Sequence, residues 1–305
     1  MGRGLGGIDA VQTALPDLLA VLMAVLTQFG DVLVFIPALT LVFWFGDRDR
    51  GAALVGIALG GIGIVLIAKQ AFAFPRPPTN PPVPIADVPT FVRPFFEDQV
   101  IADGYGFPSG HATGATVVWG SLAWWLDVSS KPRRVAAAAA LVAIVALSRV
   151  ALGVHYVVDV TAGIGLGLVY LAVVAMVHDR VGGDERLFLW LALGLTAIGG
   201  GLQAGTDGWL AAGVAIGATA GWDATDAPVH PWPTTRTVIL RAVLVILAVA
   251  ALSGAIGFGL LAAGAPEAPA LGSATMVVAA AVLAIPGIRP IAVWIEGRGA
   301  QNVSR

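Results

Sequence analysis

The chain has 305 residues, 57% of them apolar or aromatic and only 12% charged, which excludes a soluble globule, where roughly a quarter of residues carry charge. It also excludes intrinsic disorder, and the absence of cysteine removes any disulfide, thiolate nucleophile or Cys-held metal. A formal net charge of −2 offers no basic surface for nucleic acid, while several apolar runs reach the ~20 residues a helix needs to cross a bilayer. The sequence therefore reads as an all-α polytopic membrane protein whose partner is the lipid bilayer.

Apolar stretches interrupted by charges, Gly and Pro predict helices over 9–28, 31–46, 51–73, 109–127, 134–151, 155–178, 187–203, 208–222, 237–263 and 270–288. Residues Met1 to Ile8 carry one Arg and no small-residue cleavage site follows the first apolar run, so a retained helix is expected rather than a cleaved signal. The segment 208–222 is the shortest, and whether it crosses sets the side of everything after it. Between the third and fourth helices, Phe74 to Phe107 is rich in proline and carries Phe91, Phe95 and Phe96. It predicts a non-helical loop at headgroup level, serving as an interfacial lid or as a plain connector. Ala136 to Ala140 is a small-residue face for helix packing, and Trp44, Trp124 and Trp125 fit an interfacial belt. His178 and His230 fall in cytoplasmic segments and carry no expected chemistry.

The ten-helix path sorts the cations. One side receives Arg3, Arg48, Arg50, Lys131, Arg133, Arg134, Arg180, Arg186, Arg236, Arg241, Arg289, Arg298 and Arg305, and the other receives only Lys69, Arg76, Arg93 and Arg149. Because cytoplasmic loops hold the excess of Lys and Arg, both termini are expected in the cytoplasm and the four exceptions at the outer face.

Ionisable residues at the ends of membrane helices are costly and so are candidates for function. Lys69 and Arg76 close the third helix, Pro108-Ser109-Gly110-His111 opens the fourth, and Ser148, Arg149, His155 and Asp159 straddle the fifth and sixth. The topology brings all of them to one face. Three cations, with two Arg able to grip phosphate oxygens in pairs, join the free amides that Ser109 and Gly110 present at a helix N-terminus. This is a phosphate cradle. It holds no carboxylate cluster for Mg²⁺ and too few histidines for catalytic zinc, so no metal or other cofactor is expected. His155 and Asp159 are four apart, so the carboxylate can orient the imidazole and leave its other nitrogen as a phosphoryl acceptor. His111, from another helix, can protonate the leaving oxygen and then activate water.

These three groups resemble the signature of the type-2 phosphatidic acid phosphatase superfamily, which includes vanadium-dependent haloperoxidases. Its first motif, Lys, six residues, Arg-Pro, matches Lys69, Arg76 and Pro77. Its second matches Pro108 to His111, and its third, Ser-Arg, five residues, His, three residues, Asp, matches Ser148, Arg149, His155 and Asp159. The resemblance implies that Lys69, Arg76, Ser109, Gly110 and Arg149 bind phosphate, that His155 is the nucleophile, that Asp159 orients it and that His111 is the acid and base. It spans about Phe29 to His178, so residues 1–180 are expected to form the phosphatase core and 181–305 a transmembrane extension of about four helices.

The expected activity is metal-independent hydrolysis of a lipid phosphate or isoprenyl diphosphate at the outer leaflet. Phosphoryl transfer to an acceptor lipid is an alternative, and a haloperoxidase is opposed by membrane embedding, since the resembling peroxidases are soluble. A transporter or channel with a phosphate site is the rival from another class; its site should lie near the bilayer midplane between repeats, and no repeat is visible.

Overall fold

The computed structural model describes residues 5–45, 47–181, 186–203 and 205–223, with 275, 278 and 279 beyond them. Among the described residues ten α-helices follow one another: α1 (Leu5–Ala14), α2 (Asp17–Leu26), α3 (Val32–Phe45), α4 (Arg48–Phe72), α5 (Arg93–Val100), α6 (Gly110–Trp125), α7 (Lys131–Ala151), α8 (Val157–Val181), α9 (Arg186–Gln203) and α10 (Thr206–Asp223). Among the described residues there is no strand, only an isolated bridge between Pro75 and Tyr105. The protein is an all-α polytopic bundle, as its composition dictates. The expected helices 237–263 and 270–288 lie outside the described residues, apart from 275, 278 and 279.

Among the described residues four helices are long and apolar enough to cross a bilayer by themselves: α4, α7, α8 and α9. The expected pair of crossings over 9–28 and 31–46 is corrected. Pro16, which has no N–H to donate, separates α1 from α2, and a single 3-10 turn at Thr27–Gly30 joins α2 to α3 with a bend of 42°. The pair runs on in one direction. Ala20 and Ala24 pack beside Leu152 and Val154 at the end of α7, whereas Phe35 and Leu39 descend along Val118 and Leu122 of α6. By length and composition the pair makes at most one bent crossing in place of two, and α1 stays at the upper end, where α4 closes and α6 opens; there Gln12 Nε2 donates to Asn80 O at 3.3 Å. A second correction concerns 74–107, expected to be non-helical. It contains a 3-10 turn at Ile85–Asp87 and the short α5, started by Pro94 in its first turn and anchored by the wholly buried Phe96.

α4 is the central post, with 72% of its span buried, while α7 and α8 bury only 28% and face lipid. Glycines set its contact with α9. A Cβ on Gly56 would stand 2.6 Å from the carbonyl carbon of Phe188, and one on Gly63 2.6 Å from that of Leu195. The backbones meet directly, the close approach that drives helix association where lipid leaves no hydrophobic gain. α6, at 16 residues roughly 24 Å long by helix geometry, is shorter than a bilayer core but is enclosed by α4, α7 and α8.

Candidate active site

Every motif residue is placed by the end of a helix at the upper end of the bundle. α4 stops at Phe72 because Ala73 turns left-handed (φ 50°, ψ 32°), its N–H bonding back to Lys69 O at 2.9 Å. The chain then doubles against the segment before α6, with Gly106 N donating to Phe74 O at 2.8 Å. That pairing carries Arg76 across the top of the bundle. Its Nε donates to Asp103 O at 3.1 Å and its Nη1 to Val154 O at 3.3 Å, and the same Nη1 lies 3.1 Å from His155 Nε2.

His155 stands in the link between α7 and α8, which turns at Gly153 (φ 76°), a conformation that favours glycine. Thr79 Oγ1, donating to Gly153 O at 2.7 Å, ties the same turn to the loop. His155 is 1% exposed, and its Nδ1 faces Asp159 Oδ2 at 3.6 Å. Asp159 is itself fixed: its Oδ2 accepts from Tyr156 N at 3.0 Å, the reach from the first turn of a helix back to the residue before it. A neutral ring with Nδ1–H towards Asp159 can only accept at Nε2, the atom that meets Arg76. Burial, then the charges of Arg149, Arg76, Lys69 and His111, push the His155 imidazole well below its ordinary pKa of 6.5, so that it is neutral at pH 7.

Ser109 caps α6, its Oγ accepting from Ala112 N at 3.4 Å, and its own N–H donates to Asp159 O at 3.0 Å, stitching the second motif to the third. The stitch is tight because Gly163 of α8 passes so close that a Cβ there would stand 2.7 Å from Ser109 O. Gly110 is different. It has no positive φ, and an added Cβ would meet only Val65 Cγ1 at an ordinary 3.5 Å, so internal packing does not demand a glycine there.

Arg149, 3% exposed, donates through Nη1 to Gln99 Oε1 at 2.7 Å, and Gln99 in turn donates to Asp98 Oδ2 at 2.7 Å. Among the described residues nothing accepts from the buried Arg149 Nε. Lys69 joins the group through its charge on His155 and Arg76. His111 opens α6 with Nε2 3.4 Å from Asp31 Oδ2. Arg76, His155, Asp159 and Ser109 are thus linked by direct contacts, with Arg149, Lys69 and His111 close enough to set the field. Ser148 turns away, donating to Ile144 O at 2.7 Å, and Arg93 braces the loop through Ala86 O and Val88 O.

Two residues that the motifs do not contain, Asp31 and Gln99, meet the site side chains of His111 and Arg149 with their own side chains. Asp31 carried a signal, an acid at the edge of an otherwise apolar run; Gln99 is uncharged and carried none.

Residues 50–182 match the family model of the PAP2 superfamily. The matched stretch runs from the start of α4 through α8 and contains all three motifs. Phosphatidylglycerophosphatase B of Bacillus subtilis (strain 168) is 35% identical over 96 residues, which are 30% of this chain and 47% of the relative, so the match spans about half the relative's length. No solved structure matches the chain. The PAP2 match leaves α1, α2, α3, α9 and α10 outside it, although α9 and α10 pack on α4 and Asp31 meets His111.

Proposed function

We propose that this protein hydrolyses a membrane lipid phosphate or diphosphate without a metal, through a phosphohistidine formed on His155. The observation that carries the proposal is the 3.1 Å contact between Arg76 Nη1 and His155 Nε2, on the side of the ring opposite Asp159. It puts a guanidinium suited to phosphate against the lone pair of a neutral, oriented, buried imidazole.

In the first step His155 Nε2 attacks phosphorus, the bond to the lipid oxygen breaks, and that oxygen takes a proton from His111. Lys69, Arg76, Arg149, the amide of Gly110 and the hydroxyl of Ser109 stabilise the charge spread over the remaining phosphoryl oxygens; the Ser109 amide, expected to be free, is instead given to Asp159 O. Asp159 holds Nδ1–H as His155 gains positive character. In the second step His111 takes a proton from water, the hydroxide adds to phosphorus, and the P–N bond breaks to return the electron pair to Nε2. Inorganic phosphate leaves.

The exposed Phe72, Phe74, Phe91 and Phe95 beside the site support a substrate whose tails stay in the bilayer while its headgroup enters. The name of the Bacillus relative makes phosphatidylglycerol phosphate the first substrate to test. The lower end of the bundle carries Arg50, Lys131, Arg133, Arg134 and Arg180, which supports a cytoplasmic lower end and an outward-facing site. On that orientation the single bent crossing carries α1 outward with the site, in place of the cytoplasmic N-terminus expected. Residues 1–180 serve as the catalytic core and 181–305 as an extension, joined through the contact of α9 with α4.

The experiment is phosphate release in detergent micelles containing EDTA, from phosphatidylglycerol phosphate, phosphatidate and an isoprenyl diphosphate. Release by the wild type, lost in His155→Ala, is expected. No release from any substrate, or release that needs added metal, overturns the proposal.

A further inference from the structure

Asp31 lies outside the motifs and outside the PAP2 match, in the break between α2 and α3. Its two oxygens do different work. Oδ1 accepts from Leu33 N at 2.9 Å, capping α3, while Oδ2 stands 3.4 Å from His111 Nε2. The two side chains are 17% and 23% exposed, so water screens the pair little. Gly30 makes the approach possible: a Cβ there would stand 2.6 Å from Val145 Cγ1 and 3.1 Å from His111 O.

Capping does not account for the charge. Ser, Thr and Asn cap a helix about as well as Asp, and an ionised side chain inside a bundle is costly. What the charge faces is an imidazole whose other ionic neighbours, Arg149 and Lys69, are both cations. To give a proton to a leaving oxygen, that imidazole must pass through the imidazolium, and an imidazolium among cations requires a compensating negative group.

We propose that Asp31 is a positioning residue for His111. The inference rests on the reading above, in which His111 is the acid and base. Asp31 holds Nε2–H, which assigns proton exchange with the substrate to Nδ1. In the imidazolium both nitrogens carry protons; Nδ1 gives its proton to the leaving oxygen as the P–O bond breaks, and the neutral ring, still held at Nε2, then takes a proton from the attacking water. The site thus has two carboxylate-held imidazoles: Asp159 serves the nucleophile and Asp31 the acid and base.

The test is Asp31→Asn, which keeps a capping side chain and removes the charge. Wild type and variant are given a lipid phosphate, whose alkoxide leaving group needs a proton, and nitrophenyl phosphate, whose leaving group does not. Burst kinetics and base-quenched phosphohistidine are read together with orthovanadate binding. We expect the lipid reaction to slow about a hundredfold, the scale of general acid catalysis. The nitrophenolate burst and orthovanadate binding should stay within about threefold of wild type, with phosphohistidine accumulating because water activation is slowed, and Asp31→Glu should recover part of the lipid rate. Equal slowing of both substrates together with weakened orthovanadate binding would mean that Asp31 only supports the fold, and unchanged rates would mean that it does nothing for His111. Either overturns the inference. A wild type inactive on every substrate fails the reading above instead.

Discussion

Replacing Asp159 by Asn removes one negative charge from a wholly buried position while keeping the side chain's volume. In the resting site Asp159 Oδ2 is 3.6 Å from His155 Nδ1, longer than a strong hydrogen bond, as suits a neutral ring. When Nε2 bonds to phosphorus the ring gains positive charge and the interaction strengthens. At that separation Coulomb's law gives about 1 kcal/mol in water and about 4.6 kcal/mol at an effective permittivity of 20. A value midway, about 2.8 kcal/mol, is about a hundredfold in rate. The amide can also offer N–H where the carboxylate accepted, turning the ring to the tautomer whose Nε2 carries a proton and cannot attack, which adds to the loss. The assay is single-turnover formation of base-stable phosphohistidine from a labelled lipid phosphate, with orthovanadate binding as the check on the cradle. Formation within about threefold of wild type would refute the orienting role of Asp159.

Gln99→Leu should weaken orthovanadate binding several-fold without abolishing turnover, because it strips Arg149 Nη1 of its acceptor at 2.7 Å but leaves the guanidinium in place; titration by isothermal calorimetry checks it. Gly63→Leu drives a side chain into the backbone of α9 and should lower the melting temperature in detergent, the cost exceeding the ~1–3 kcal/mol of ordinary overpacking, as a thermal scan will read. The pH profile of kcat/KM follows from the depressed pKa of His155. The nucleophile loses activity only when protonated, so its acidic limb should lie below pH 6.5, and a limb at or above that value would contradict a buried ring among cations.

The cluster at the upper end was legible because it is charged. Lys69, Arg76, Arg149, His155 and Asp159 stand out in an apolar chain at fixed spacings, and the structure brings their helix ends together. Less was legible where the information is tertiary. The first two helices read as a hairpin because 9–28 and 31–46 are each apolar, yet Pro16 cuts the first, and the packing of Gly30 on α6 and α7 holds the second in line with it. α5 was hidden in a proline-rich stretch because its eight residues owe their place to burying Phe96, not to periodicity. Gln99 was invisible for want of charge. Asp31 was visible, but a single acid between two helices reads as a turn until its neighbour is known.

The glycine contact between α4 and α9 also has a consequence in time. α4 carries Lys69 and enters the membrane early in synthesis, while α9 follows only after α6, α7 and α8 have been made. Until then the groove along Gly56 and Gly63 must be filled by lipid chains, which cannot approach a backbone as closely as another backbone does. Of the helices that carry the signature, the one that begins it is therefore the last to gain its described neighbours, and the newborn chain holds all three motifs before it holds them firmly.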